Sequence, residues 1–581
     1  MKRFITLISS LLLVFNIAYA VPVSPARAEA AAKQYLKVKT GRTVNLKPIE
    51  EVRTLTKGAA EHPDFYAFES DRGGFVIIAG DDAVSPVIGW SRTGTFTFEG
   101  MPENITAWFD MWRNIIKDVR EGRLEPQSEA CSEWESVEKG RTLLYDEGEK
   151  ILETASWNQT DPYNKYCPNG SVAGCVAVAT AIRLRYHQWP EAGQGELPAY
   201  DYEDDGGTKH HEDAITLGHE YHWDKMPLKL KDESTEEEIN EVATLIHETG
   251  VMVQSYYSPE GTGAFASDVY DNIAKYFFYD ASAIDYYPVY FRKDEWCRMI
   301  MDNLDNVGPV LYAGQGKEGG HAFVIDGYSE KGQFHINWGW GGRNNAFFTY
   351  PSFKEYTSGQ HATFNLKKDE GGSKVDFLAI DGNGDGHGLT ASVEEFQLDE
   401  QFGFRCEYLF NLGSRPFNGQ LALAVIHRDG SMGEIVSLND DFTCPSLQGY
   451  GIYDDECKLT EELFIGDRLC LWYRSENTPE WTIIRANVEQ GDAAEIPVAD
   501  QQFLDEVTSF KYTSETGELV ISTKKDAEWK IEDTSGNSYT DGVSFKDGEL
   551  VISTKQFRLK SYFITLTKGR DSKTVEFVFG S

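Results

Sequence analysis

The chain has 581 residues, too many for a single hydrophobic core, and its 41% apolar and 25% charged content is that of a globular protein of several domains. Its 93 acidic residues outnumber 55 basic ones, for a formal net charge of −38. A surface of that sign repels phosphate backbones and anionic lipid, which argues against nucleic acid and membrane surfaces as partners.

The first twenty residues, MKRFITLISSLLLVFNIAYA, combine Lys2 and Arg3 with an apolar run from Ile5 to Ile17 and a small-residue Ala18-Tyr19-Ala20 end. That is the pattern of a secretory signal peptide, 1–20. The run is shorter than the roughly 20 residues a spanning helix needs, and no later stretch is long enough, so we expect a secreted chain with no membrane span. SPARAEAAAKQYLKVK then reads as a helix, DFYAFES and GGFVIIAGDD as two strands joined at a DRGG turn, and ENITAWFDMWRNIIKDVREGR as an amphipathic helix. EPQSEACSEWESVEKGR reads as an exposed linker. Together these make an α+β unit with linker over residues 21–142.

From residue 143 the texture changes. SWNQTDPYNKYCPNGSVAGC is loop, a helix opens at Cys175, and a long polar loop covers 190–225. EEEINEVATLIHETGVMV and DEWCRMIMDNLDNVG read as helices, and PVLYAG, HAFVIDGY and FHINWGW as strands. Helices first and antiparallel strands later imply an α+β domain of two packed parts over 143–368. Beyond it the helices stop. Alternating stretches such as GQLALAVIHR and RLCLWYR predict a β-sandwich over 369–500, and GELVISTK, present at 517–524 and again at 548–555, predicts a small all-β module of related hairpins over 501–581.

The chemistry concentrates in the middle domain. Cys175 follows Gly174 at the start of a helix, where unpaired N–H groups and the helix dipole favour a thiolate, although a packed core cysteine has the same local look. A nucleophilic thiol needs a base, and His321 stands after two glycines at the mouth of a strand. A cysteine followed about 146 positions later by a histidine lies within the spacing of papain-like proteases. Gln159, on a loop upstream, can form an oxyanion hole with the Cys175 N–H. Downstream, HINWGWGG offers Asn337, Trp338 and Trp340 to orient the imidazole and shield it from water.

NQTDPYN, GCVAVATA, RYHQWP, GGHAFVIDGY and FHINWGWGG, in that order, resemble the streptopain family of secreted bacterial cysteine proteases, and GGFVIIAGDDAVSPVIGWS resembles that family's inhibitory prodomain. The resemblance covers residues 21 to 368. It implies a papain-like fold made as an inactive zymogen, with protein or peptide substrates and its own prodomain as inhibitor. Residue by residue, it implies Cys175 as nucleophile, His321 as general acid–base and Gln159 in the oxyanion hole. Gly320 falls in the substrate cleft and Gly263 in a loop bordering it, where the family has serine. The third catalytic position falls on Trp338, with Trp340 as the shielding ring and Asn337 one step off register as the alternative. No metal or organic cofactor is implied, and reducing conditions should favour activity. Activation would need a cut between about Glu125 and Lys150, with Lys139, Arg141 and YDEGEK accessible.

Several features compete with this reading. His210, His211, His219 and His222, with Glu212 and Asp213 between, lack a zinc-site spacing and read as a solvated loop. Asp381, Asn383 and Asp385 alternate as in calcium loops, but the twelfth position is Ser392 rather than glutamate, so an Asp/Gly-rich turn is the simpler reading. Cys406, Cys444, Cys457 and Cys470 cluster in the sandwich of an exported chain and suggest one or two disulfides. Two other functions share the same residues: a catalytically silent adhesin, binding a surface or host protein through its β modules, and an acyltransferase on the same fold.

Overall fold

The computed structural model describes residues 20–50, 52, 62–127, 129–141, 148–204, 207–316, 319–329, 332–350, 359–380, 388–393, 396–413, 415–427, 430–461, 467–486 and 495–497. Of the last 80 or so residues it describes 509–513, 518–522, 528–533, 538–540, 543–546, 549–553, 560–568 and 571–579. The signal-peptide reading and the calcium candidates Asp381, Asn383 and Asp385 lie outside these residues, as do positions 142–147 of the expected activation segment. The chain divides into two compact units, Met1–Ser373 and Lys374–Ser581.

The first unit opens with helix α1 (Pro25–Thr40), whose start is fixed by Ser24 accepting from the Arg27 N–H and by proline at the first helical position. Strands β1 (Leu46–Pro48), β2 (Phe65–Ser70), β3 (Phe75–Ala79) and β4 (Val87–Ser91) form an antiparallel meander, followed by helix α2 (Glu103–Arg120). Ile105, Trp108, Phe109, Trp112, Ile115 and Ile116 recur at helical spacing and are buried. The stretch expected to be an exposed linker contains helix α3 (Ala130–Glu138). Ala130, Trp134 and Val137 make a buried stripe there, the Trp134 ring lies under the Arg27 guanidinium, and its Nε1 donates to Val84 O. Charge around these three residues hides the stripe from a composition-based reading.

Strand β5 (Lys150–Ile151) leads into helices α4 (Cys175–His187), α5 (Glu236–Met252) and α6 (Asp268–Phe277). The sequence predicts polar loop over 190–225, but it contains two short ribbons, Glu196–Leu197 with Ile215–Thr216 and Tyr200–Glu203 with Lys209–Glu212. Strand β6 (Ile284–Tyr286) and helix α7 (Lys293–Asn306) precede the strands β7 (Val310–Gly316), β8 (Gly319–Tyr328), β9 (Gln333–Asn337), β10 (Ala346–Thr349) and β11 (His361–Phe364). All of these strands belong to one eleven-stranded sheet in the order β1-β2-β3-β4-β10-β9-β8-β7-β11-β6, with β5 also pairing β8.

The N-terminal meander therefore continues the sheet of the following domain. The join is β4 on β10, with Phe347 opposite Trp90 and their rings stacked 5.1 Å apart. Gln333, buried on β9, accepts from Tyr35 Oη at 3.0 Å and Trp90 Nε1 at 3.1 Å, and Lys39 Nζ donates to Ser329 Oγ. Burying these polar groups in matched pairs limits the cost of closing the seam.

The second unit is all β among the described residues. One sheet holds β12 (Leu378–Ile380), β13 (Leu389–Ala391), β14 (Gln401–Asn411) and β17 (Gly449–Lys458), and the other β15 (Phe417–Ile426), β16 (Met432–Cys444) and β18 (Arg468–Ser475). Phe402, Phe404 and Leu409 of one share a core with Leu421, Leu423 and Leu471 of the other. None of the eight cysteines is joined in a disulfide, which corrects the expected bridges. The registers place Cys406 beside Leu389, Cys457 beside Phe402, Cys444 beside Phe417 and Cys470 beside Ala424, so none faces another, and each serves as a small buried hydrophobe. In the C-terminal module the two repeat copies form β20 (Glu518–Ser522) and β23 (Glu549–Ser553), after β19 (Ser509–Thr513) and β22 (Val543–Lys546), while β21 (Glu528–Asp533) belongs to a separate sheet. β20 and β23 pair antiparallel with Val520 opposite Val551, so the duplicated hairpins meet about a local two-fold.

Candidate active site

Helix α4 starts at Cys175 with no side-chain cap. Gly174, at φ 91°, turns the chain into it, in a conformation that disfavours any residue with a Cβ. A Cβ there would also lie 3.0 Å from Thr262 Cγ2, so the 256–263 loop packs directly on the helix entry. The loop is tied down locally: Tyr256 and Gly263 bridge, and Thr262 Oγ1 donates to Val172 O at 2.6 Å. Gly263 itself is exposed on its rim.

The sheet meets the helix at the same point. The Ala322 N–H donates to Cys175 Sγ at 3.4 Å, which brings the first residues of β8 against the first turn of α4. His321 therefore lies one residue from the sulfur's hydrogen-bond donor, half-buried and opposite Gly314, with exposed Gly320 at the lip opposite Gln315. Burial pushes the Cys175 thiol up from its ordinary range, while the N–H groups of Ala322, Val176 and Cys175 pull it down and the charge of Glu103 adds to the rise.

Gln159 is buried, and its main chain is pinned on both sides. Its carbonyl accepts from Ala173 N at 2.8 Å and its N–H donates to Asn158 Oδ1. Two residues earlier, Trp157 O accepts from Gly341 N at 2.7 Å. One loop thus ties the segment before the cysteine to the turn after β9. In that turn the Asn337 amide is fully engaged: Nδ2 donates to Thr154 Oγ1 and Ala155 O, and Oδ1 accepts from Gly339 N. Trp338 is completely buried, its Nε1 donating to Asn344 O, and Gly339 lies against Val178 of α4. The structure thus gathers Cys175, His321, Gln159, Asn337, Trp338 and Trp340 around the junction of α4, β8 and the 338–341 turn.

The sequence does not reveal what covers this junction. Asn104, in the first turn of α2, donates from Nδ2 to Trp338 O at 3.0 Å and accepts from Trp340 Nε1 at 3.2 Å. One turn on, Trp108 stands edge-on to Phe323 and Trp338, with centroids 6.1 and 6.0 Å away. Glu103 brings a carboxylate close enough to act on the Cys175 thiol. Only helical amphipathicity marks these residues in the sequence, and that signal cannot separate a helix facing its own core from one facing a neighbour's cleft.

The histidine-rich segment is dispersed. His210 pairs with Asp204, His211 with Asp201 and His222 with Glu241, and no group of three metal-ligating side chains occurs among the described residues. No described helix is long and apolar enough to cross a membrane.

Residues 157–348 match the Peptidase C10 family, and residues 20–116 match the family described as Spi protease inhibitor. The chain is 31% identical over 358 residues to the thiol protease/hemagglutinin PrtT of Porphyromonas gingivalis, covering 60% of this chain but 41% of that protein. It is 28% identical over 310 residues to streptopain of Streptococcus pyogenes, covering 50% of this chain and 75% of the relative. A solved fragment of Prevotella intermedia prointerpain A aligns at 25% identity over 56% of this chain and 99% of the fragment, with a TM-score of 0.44. Residues 157–348 are a Peptidase C10 domain, a cysteine peptidase domain, and the streptopain resemblance read from the motifs is borne out.

Proposed function

We propose that the chain is a secreted cysteine endopeptidase with a papain-like catalytic layout, made as a zymogen whose N-terminal region inhibits it. The reading rests chiefly on the contact at the helix entry, where a thiol at the first turn of α4 lies 3.4 Å from the N–H of the residue after His321. In this mechanism His321 takes the Cys175 proton, the thiolate attacks the peptide carbonyl, and the oxyanion is held by the Cys175 N–H and the Gln159 amide. His321 then protonates the leaving amine, and water releases the acyl group from sulfur. With Asn337 occupied in building its turn, shielding and orienting the imidazole falls to Trp338 and Trp340, while Gly320 and Gly263 border the substrate.

Inhibition follows from the same contacts. Asn104 occupies Trp338 and Trp340, Trp108 fills the space beside them, and Glu103 disfavours the thiolate. Peptide bonds are the substrate and the N-terminal region the internal partner. Reducing conditions support the thiol, and no metal takes part. The C-terminal modules contribute surface or host-protein contacts.

The test is N-terminal sequencing before and after incubation with reductant, alongside casein hydrolysis with and without iodoacetamide. Shortening to a new N-terminus between about residues 125 and 150, with iodoacetamide-sensitive hydrolysis, is expected. Hydrolysis that survives alkylation would overturn the thiol mechanism. Conjugation of an added amine in preference to hydrolysis would make the domain an acyltransferase.

A further inference from the structure

Strands β16 and β17 are consecutive and lie in opposite sheets of the sandwich, and among the described residues each pairs on one side only. Their free edges flank a groove of about 590 Å³. Its floor is the sandwich core itself: Phe404, Leu421, Leu423, Phe442 and Leu471. In a closed sandwich every second residue of a strand is covered. Here Leu438, Asn439, Asp440 and Asp441 are exposed in succession, so the inward face of this stretch of β16 has nothing over it. Of the twelve large apolar side chains exposed among the described residues, five (Ile435, Leu438, Leu447, Tyr450, Tyr453) belong to this strand pair and its connection. Such concentration marks an interaction site rather than scattered surface.

The rim has one sign. Asp440, Asp441, Asp454, Asp455 and Glu456 line or adjoin the groove, and among the described residues none has a cation within ion-pair distance. Asp440 accepts from Gln420 and Asp454 from Ser437, bonds that orient the carboxylates without neutralising them.

The geometry points to this groove as a docking site for an extended, cationic segment of another polypeptide. The segment adds as a strand along the free edge of β16 at Leu438–Asp441, with apolar side chains over Leu438, Tyr453 and the mouth of the Phe404–Leu471 floor and alternate basic side chains against the aspartates. Free strand edges supply main-chain hydrogen bonds, the floor selects apolar residues at every second position, and the rim selects their basic neighbours. Uncompensated carboxylates favour such a peptide over a neutral ligand or a second copy of this acidic chain.

The test uses the full chain carrying Cys175→Ala, so that the probe is not cut, and fluorescence anisotropy with labelled peptides of about ten residues, a typical strand length. Alternating valine–lysine and valine–glutamate peptides are compared. A third peptide matches the first but is N-methylated on alternate amides. The lysine peptide is expected to bind at least about tenfold more tightly than the glutamate peptide, and to weaken as salt rises from 0.1 M to 1 M and the Debye length falls from about 10 Å to about 3 Å. N-methylation and, separately, the combined Asp440→Asn, Asp441→Asn and Asp454→Asn substitutions should each weaken it about tenfold. Equal binding of the methylated peptide would overturn strand addition, and an unaffected triple variant would overturn the location. Concentration-dependent dimerisation that excludes the peptide would assign the groove to a second copy instead. The peptide comparisons on the unsubstituted groove hold even if the triple variant misfolds.

Discussion

Glu248 offers a test of how the peptidase core responds to pH. It lies on α5 with 3% of its surface exposed, accepts a hydrogen bond from Tyr221 Oη at 2.6 Å, and has His219 Nδ1 3.6 Å away. Burial raises its carboxyl to about 7, against the pull of the Tyr221 hydrogen bond and helped by the charge of Glu241. Burial also lowers His219, which leaves that imidazole a poor counter-charge. The folded carboxyl therefore keeps its proton at pH values where the unfolded one has lost it. The stabilisation this gives is complete below the unfolded value near 4.5 and is lost as pH rises through 7. The interval corresponds to roughly 3 kcal/mol.

Glutamine mimics the protonated form at every pH and keeps an acceptor for Tyr221. Glu248→Gln in a Cys175→Ala background should match its parent near pH 4.5 and exceed it by up to roughly 3 kcal/mol above pH 8. Urea unfolding followed by tryptophan fluorescence is suitable, since all of the 13 tryptophans except Trp472, Trp481 and Trp529 lie in the first unit. If the two proteins lose stability in parallel between pH 4.5 and 8, Glu248 does not titrate as its surroundings require, and the argument fails.

Other outcomes follow from the site. His321→Ala should lower kcat on a peptide substrate by roughly 10²–10⁴ with little change in KM, measured after maturation by added wild-type enzyme and its removal. Asn104→Ala removes one buried and one partly buried hydrogen bond at a cost of about 1–3 kcal/mol. It should raise the basal hydrolysis and the maturation rate of the full chain, and unchanged rates would show that α2 is not the restraint. Gly174→Ala places a Cβ at positive φ and against Thr262, which should cost about 1–2 kcal/mol and depress kcat without altering the fold seen by circular dichroism.

Local features of this protein are legible in the chain. Helical spacing marks α1 and α2, a Gly-rich turn marks the β2–β3 hairpin, and a glycine before Cys175 marks the entry to α4, because each depends on neighbours a few residues apart. The α3 stripe was legible in the same way and was obscured only by surrounding charge. The repeated GELVISTK predicts related hairpins, and identical strands placed head to tail can pair in register as β20 and β23 do. The order of cysteine, histidine and NWGWGG along the chain points to a thiol peptidase before any geometry is known.

The covering of the site is decided elsewhere. Asn104 meets Trp338 across 234 residues and Tyr35 meets Gln333 across 298, contacts that exist because β4 pairs with β10 and makes one sheet of two regions. The separation of the four sandwich cysteines, the burial of Glu248 and the open edge of β16 likewise depend on which strands become neighbours. Sequence periodicity records which face of an element is apolar, but the partner that covers it is selected by packing over the whole sheet, and that selection leaves no local trace.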